Sequence, residues 1–291
     1  MRRLSLIVNP RAARGRTIRA LPGVQVELAR RGLPHRCAMT RSLEHAGALA
    51  RSAAAGGEVA VAFGGDGLVG AVAAAVSQSD GVLGVLPGGR GNDFARTLGI
   101  PLDPRKACDV LATGTIAPLD LGRAGARTFI GIASCGFDSD ANRIANQARH
   151  VPGSLVYVYG ALRALIGWKP ARFTVTLDDE APRTVAGYSV AAANSRAYGS
   201  GMFLAPDASL DDGRLDVVII RDVTKLRFLR LLPTVFSGRH VRLRNVEILR
   251  AREVTVSAER PVTMYADGDP LGELPLTLTV TRAAFRTIVP R

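Results

Sequence analysis

Two glycine-rich loops and two acidic turns hold the residues of this chain best suited to chemistry. Gly64-Gly65-Asp66-Gly67 follows the apolar run Val59–Phe63 and precedes an alanine- and valine-rich stretch from Leu68 to Val76. Glycine lets a backbone turn sharply and come close to a ligand. Strand, glycine loop, helix is the layout that turns backbone N–H groups toward a phosphate. Asp66 would repel a bare phosphate, so a metal ion or a hydroxyl is its better neighbour. Pro87-Gly88-Gly89-Arg90-Gly91 repeats the theme after the run Gly81–Leu86 and leads into Asn92-Asp93. Asn92 or Asp93 could simply cap the next helix. The functional alternative has Asn92 donating to phosphate and Asp93 joining a magnesium shell, which prefers oxygen ligands.

The acidic turns are equally two-sided. Asp267-Gly268-Asp269 carries the Asp-Gly signal of a hairpin, and it also places two carboxylates where one could take a proton from a hydroxyl. Asp211-Asp212-Gly213 reads as a turn or as a cation-binding loop. Gly65, Gly67 and Gly70 satisfy GxGxxG, but that spacing alone is a weak dinucleotide signal, and the first strand-to-helix loop is instead Asn9-Pro10-Arg11.

The elements that must position these residues fall into two groups. In the first part, strand-like runs at Leu4–Val8, Val59–Phe63 and Gly81–Leu86 alternate with helical stretches. One of these ends near Arg19, with mixed character from Gln25 onward, and another covers Glu44–Ala55, with Ser42 as candidate N-cap. This alternation predicts a parallel α/β sheet, whose ligands bind beyond the carboxyl ends of its strands. From about Leu119 the pattern changes to strands at 129–133, 173–177, 188–193, 215–220, 254–257 and 276–280. Helices are expected between them at about 139–147, 153–167 and 224–236. This second part reads as an antiparallel β domain with helical excursions. The expected domains are 1–122 and 123–280.

The chain has 291 residues and 47% hydrophobic content, enough for two cores, and 22% charged residues, which excludes a disordered composition. Its net charge of +13 is almost wholly arginine; lysine occurs only at Lys106, Lys169 and Lys225. A coding bias toward arginine accounts for this as readily as attraction to a nucleotide, a nucleic acid or a membrane. Cys37, Cys108 and Cys135 lack disulfide or zinc spacing and suggest reduced thiols of a cytoplasmic protein. His35, His45, His150 and His240 form no ligand motif. The apolar segment 151–168 holds Arg163 and several glycines, a poor membrane span. Lys225, Arg227 and Arg230 among leucines make 224–236 a basic apolar helix, which buries a face in its own domain or touches a membrane.

Taken in order, these residues resemble the diacylglycerol kinase catalytic family, bacterial lipid kinases related to sphingosine kinases and, more distantly, NAD kinases. The order is Asn9-Pro10, Thr40, Gly64-Gly65-Asp66-Gly67, Gly91-Asn92-Asp93-Phe94-Ala95-Arg96, Pro206 with Leu210–Asp216, and Asp267-Gly268-Asp269. The resemblance implies a Rossmann-like α/β nucleotide-binding domain and a C-terminal antiparallel β-sandwich-like domain, with 281–291 returning to the first. It implies ATP and Mg²⁺ as cofactors and a lipid at the membrane surface as substrate, most naturally diacylglycerol, with no nucleic acid. A cytoplasmic protein at the inner membrane face follows, and a homodimer is compatible with it. ATP would be held by Asn9, Thr40, the loop Gly64, Gly65, Asp66, Gly67, Leu68, Val69 and Gly70, and by Arg90 and Asn92. Asp66 and Asp93 would sit near the catalytic Mg²⁺. A structural Mg²⁺ would take the Asp212 side chain and the carbonyls of Ser209 and Arg214. Asp267 and Asp269 match the family's Asp-Gly-Glu, assigned to proton acceptance and metal binding. Leu68 and Arg90 stand where the family usually has threonines, and Asp269 where it has Glu. Alternatives are an NAD kinase-like phosphotransferase, a catalytically weakened nucleotide-binding protein and, least, a Rossmann oxidoreductase.

Overall fold

The computed structural model describes residues 2–148, 151, 155–199 and 201–291. The chain divides into two compact units, Met1–Asp120 with Arg282–Arg291, and Leu121–Thr281.

The first unit alternates β1 (Leu4–Val8), α1 (Arg16–Arg30), β2 (His35–Met39), α2 (Leu43–Ala55), β3 (Val59–Gly64), α3 (Asp66–Val76), β4 (Val82–Pro87), α4 (Asp93–Thr97) and α5 (Pro104–Thr113). The strands lie in the order β2-β1-β3-β4, all parallel, with Leu4 opposite both His35 and Val59, and Ala60 opposite Leu83. Arg286 and Thr287, from the end of the chain, pair in parallel with Val82 and Leu83. Every residue of β1 and β3 is buried, as strands covered on both faces must be. Ser42 caps α2, accepting the His45 N–H at 3.1 Å.

Two expectations need correction here. The first helix does not stop near Arg19; α1 runs on to Arg30 through Pro22. Thr17, Leu21, Val24 and Leu28 form its buried stripe, and that periodic burial outweighs the one backbone hydrogen bond a proline removes. The mixed stretch after Gln25 then ends in β2, a sheet-edge strand of polar composition that is only partly buried.

The second unit begins with the end of β5 (Thr115–Ala124), then β6 (Arg127–Phe129), β7 (Ile132–Gly136), α6 (Phe137–Gln147), α7 (Leu155–Gly167), β8 (Ala171–Leu177), β9 (Arg183–Ala193), β10 (Leu215–Arg221), α8 (Lys225–Leu231), β11 (Val246–Ala251), β12 (Glu253–Ala258), β13 (Thr263–Ala266), β14 (Asp269–Glu273) and β15 (Leu276–Val289). An antiparallel path β14-β13-β7-β9-β8-β12-β15 carries it, and β9 also pairs with β10, which pairs with β11. One core cluster gathers Phe129, Phe173, Val217 and Val256; a second gathers Phe137, Trp168, Tyr188 and Phe228. In the second, Tyr188 and Phe228 stack at 4.2 Å and Phe137 meets Phe228 edge-on at 4.7 Å. Residues 153–154 of the expected 153–167 helix, and His150, lie outside the described residues. The 224–236 helix ends at Leu231, where Pro233 turns the chain into 3-10 geometry over Leu232–Ser237. The expected strand 129–133 is broken after Phe129 into β6 and β7.

Candidate functional site

In the first unit the two glycine loops lie backbone against backbone. The Gly88 N–H donates to Gly64 O at 2.7 Å. A Cβ on Gly89 would stand 2.4 Å from the Gly65 Cα, and one on Gly88 only 2.3 Å from Thr17 Cγ2. Gly65 has an ordinary extended φ of −96°, so glycine is required here by close approach of the loops. Asn92 holds the second loop: its Oδ1 accepts the Gly89 N–H at 2.8 Å and its Nδ2 donates to Gly89 O at 3.1 Å. Asn92 is buried, sits at φ +52°, and makes no side-chain cap to α4. Its amide therefore shapes the loop. Arg96 adds a hydrogen bond from Nε to Gly91 O at 3.1 Å.

Asp66 is the first residue of α3, beside the helix's positive end. Its Oδ1 accepts the Phe94 N–H at 3.0 Å, joining the two loops. Around Gly91, the Oδ2 of Asp93 and of Asp66 lie 2.8 and 3.2 Å from the point where a Cβ would stand. Two carboxylates thus flank one glycine. The Asn9 Cβ lies 3.4 Å from the corresponding point at Gly64, and Asn9 Oδ1 accepts the Arg11 N–H. Thr40 follows β2 and bonds back to Val8 O through its N–H, while its hydroxyl donates to Ser42 O at 2.6 Å. Leu68 and Val69 are buried, Leu68 against Gly64, and both N–H groups bond to Gly65 O. Arg90 is exposed between buried Gly89 and Gly91.

In the second unit Asp267-Gly268 is the two-residue turn joining β13 to β14, with φ of +52° and +97°. The Asp267 carboxylate accepts the N–H of Ile130 at 2.8 Å and of Gly131 at 2.9 Å. Those two bonds take up the backbone donors at which the expected 129–133 strand breaks. Asn194, unremarked in the sequence, completes this corner by donating to Ile130 O and Gly131 O. Asp269 reaches solvent, yet partial desolvation raises its carboxyl above the usual carboxylate range.

The acidic turn is an Asx turn. Asp212 Oδ1 accepts the Arg214 N–H at 2.9 Å, and Ser209 Oγ donates to Asp211. Arg250 lies alongside, with Nε 3.1 Å from Asp216 Oδ1, Nη1 4.0 Å from Asp212 Oδ2, and Nη2 donating to Asp207 O. Burial raises the Asp216 carboxyl, against the pull of Arg250. Arg250→Leu is expected to cost about 2 kcal/mol at neutral pH, below the buried-pair range because Arg250 is half exposed. A carboxyl raised by folding loses stability as pH climbs from its unfolded value to its folded one. The variant's deficit should therefore shrink when pH falls below the ordinary carboxylate range, which thermal melts across pH will show.

Among the described residues no group of three or more His, Cys, Asp or Glu could hold a metal ion, and no helix is long and apolar enough to cross a membrane. The paired carboxylates at Gly91 still suit Mg²⁺, which is commonly held by one or two carboxylates and completes its shell with substrate phosphates and water.

Residues 3–124 match the diacylglycerol kinase catalytic domain family, and residues 131–289 match the YegS C-terminal NAD kinase beta sandwich-like domain. The chain is 34% identical to a diacylglycerol kinase of Mycobacterium tuberculosis over 301 residues, covering 99% of this chain and 96% of that one. It is 30% identical to a diacylglycerol kinase of Bacillus subtilis over 223 residues, 75% of this chain and 73% of the other. A crystal structure of a diacylglycerol kinase from Bacillus anthracis has the same fold, with a TM-score of 0.77 at 20% identity over 99% of this chain and 96% of that one. An NAD kinase from Archaeoglobus fulgidus in complex with ATP shares the architecture more loosely, at TM-score 0.52 and 12% identity over 99% and 93%. The ordered motifs and both matched domains place this protein in the diacylglycerol kinase catalytic family, as a lipid kinase.

Proposed function

We propose that the protein transfers the γ-phosphoryl group of ATP to the hydroxyl of diacylglycerol, giving phosphatidic acid and ADP, with Mg²⁺. The joined glycine loops carry this reading: Asp66 opens α3, reaches across to Phe94 N, and shares the surroundings of Gly91 with Asp93. Phosphoryl transfer asks for positioning and charge neutralisation. The α3 N-terminus, Asn9, Thr40 and Arg90 would hold the triphosphate. Asn92 would keep the second loop in shape. Asp66 and Asp93 would hold Mg²⁺, which when bound neutralises charge on the phosphates. As the lipid oxygen bonds to the γ-phosphorus, the bond to the β–γ bridging oxygen breaks, its electron pair leaves with ADP, and the hydroxyl proton passes to Asp269. Asp269 suits this step because its raised carboxyl holds a proton better than an ordinary carboxylate. Asp267, bound to two N–H groups, would fix the turn that presents it.

A second Mg²⁺ is proposed at the acidic turn, on the Asp212 side chain and the carbonyls of Ser209 and Arg214. The lipid reading is favoured over NAD phosphorylation by the relatives: diacylglycerol kinases match this chain at 34% and 30% identity, the NAD kinase structure at 12%. Leu68 packs in the core, so replacing the family threonine there does not by itself mark lost catalysis. Incubation with labelled ATP, Mg²⁺ and mixed micelles should label diacylglycerol. Label on NAD and none on lipid would overturn the proposal.

A further inference from the structure

The second unit carries an apolar helix face left exposed among the described residues. On α7, Leu155, Val158, Tyr159, Leu162 and Ile166 are all exposed, Leu155 to 62% and Ile166 to 70%. At 3.6 residues per turn these five fall within about 100° of arc. The opposite face is the one that packs: Val156, Gly160, Ala161, Ala164 and Leu165 are buried. A Cβ on Gly160 would lie 2.4 Å from Ala141 O of α6. Burial of one face thus leaves a second, larger-residue face uncovered, the reverse of an ordinary surface helix.

The exposed stripe continues onto α8. Lys225 Nζ donates to Ile166 O at 2.8 Å, bringing the start of α8 to the end of α7. Leu226, 60% exposed, and Leu229 and Phe236 extend the surface. Only Phe228 of α8 is buried, so the expectation that this helix buries a face is met by a single residue. The same stretches of chain carry exposed cations: Arg163, Lys169, Lys225, Arg227, Arg230 and Arg239. Residues 151–177 and 223–246 contain no Asp or Glu at all.

We propose that the exposed face of α7, continued by α8, is the surface by which the protein docks on an anionic phospholipid bilayer. Large apolar side chains interspersed with cations, with no carboxylate on α7 or α8 themselves, match headgroups above acyl chains. A second copy is a poor occupant, because its matching face would bring the same positive charge. The docking is independent of which hydroxyl is phosphorylated.

The test is co-sedimentation, without ATP, with phosphatidylcholine vesicles made with and without phosphatidylglycerol. Binding should need phosphatidylglycerol and weaken with salt. Arg227→Gln with Arg230→Gln should lower binding about ten-fold. Leu162→Glu with Ile166→Glu should lower it by about as much or more, since charge is costly in the apolar layer. If the Glu pair fails to fold by circular dichroism, the Gln pair, confined to exposed side chains, carries the test. Unchanged vesicle binding in the folded variants overturns the proposal. So does self-association in sedimentation velocity that Ile166→Glu abolishes while vesicle binding persists.

Discussion

Asp66→Asn is expected to lower the rate of lipid phosphorylation by about 10³-fold while leaving the first unit folded. The two consequences separate because the carboxylate has two jobs in one side chain. Its Oδ1 accepts the Phe94 N–H, and an asparagine carbonyl oxygen can do the same, so the link between the glycine loops survives. The negative charge beside Asp93 does not survive, and with it goes the oxygen donor set proposed for Mg²⁺. The variant should melt close to the wild type and need more Mg²⁺ for half-maximal activity. A near-wild-type kcat would remove Asp66 from the chemistry and leave it a loop-to-loop strut.

The second large effect distinguishes two carboxylates in one turn. Asp269→Asn is expected to lower kcat by about 10²- to 10⁴-fold, the range for losing a general base, with little change in stability. Asp267→Asn should act chiefly on the fold. An asparagine oxygen cannot serve the Ile130 and Gly131 N–H groups as a carboxylate does, and a buried donor left unmet costs about 1–3 kcal/mol. The pH profile adds a second reading. A proton acceptor works deprotonated, and the Asp269 carboxyl is raised by desolvation. Wild-type kcat should therefore fall as pH drops through a value above the ordinary carboxylate range, and the Asp269→Asn residual rate should lose that limb. Equal losses of rate and equal melts in the two variants would refute the division of labour.

The parts of this molecule that were legible from sequence are those where one local signal dominates. The glycine loops after apolar runs, the Ser42 cap and the strands of alternating or continuous apolar residues all come from chemistry within a few positions. What was hidden depends on partners far along the chain. The strand His35–Met39 is polar because it lies at a sheet edge, and only its pairing with Leu4–Val8 makes it a strand. Pro22 reads as a stop, yet the buried stripe of Thr17, Leu21, Val24 and Leu28 carries α1 past it. The run 129–133 reads as one strand, but Asp267, well over a hundred residues later, takes its central N–H groups. For the site, the types of Asp66, Asp93 and Asn92 were visible; the Gly89 clamp and the Phe94 contact were not, since each is a matter of loop-to-loop distance.

The first unit's sheet includes Arg286 and Thr287, paired with Val82 and Leu83, and Thr287 also donates to Leu83 O at 3.1 Å. Phe285 and Ile288 are buried with them. A ribosome delivers those residues only after the whole of Leu121–Thr281. Domains generally fold as they emerge, but here the earlier-made unit stays one strand short until the later one has been synthesised. Its exposed β4 edge is then a vacancy that another chain's strand could fill. Slow translation through the second unit would thus prolong the period in which the nascent chain is open to mispairing.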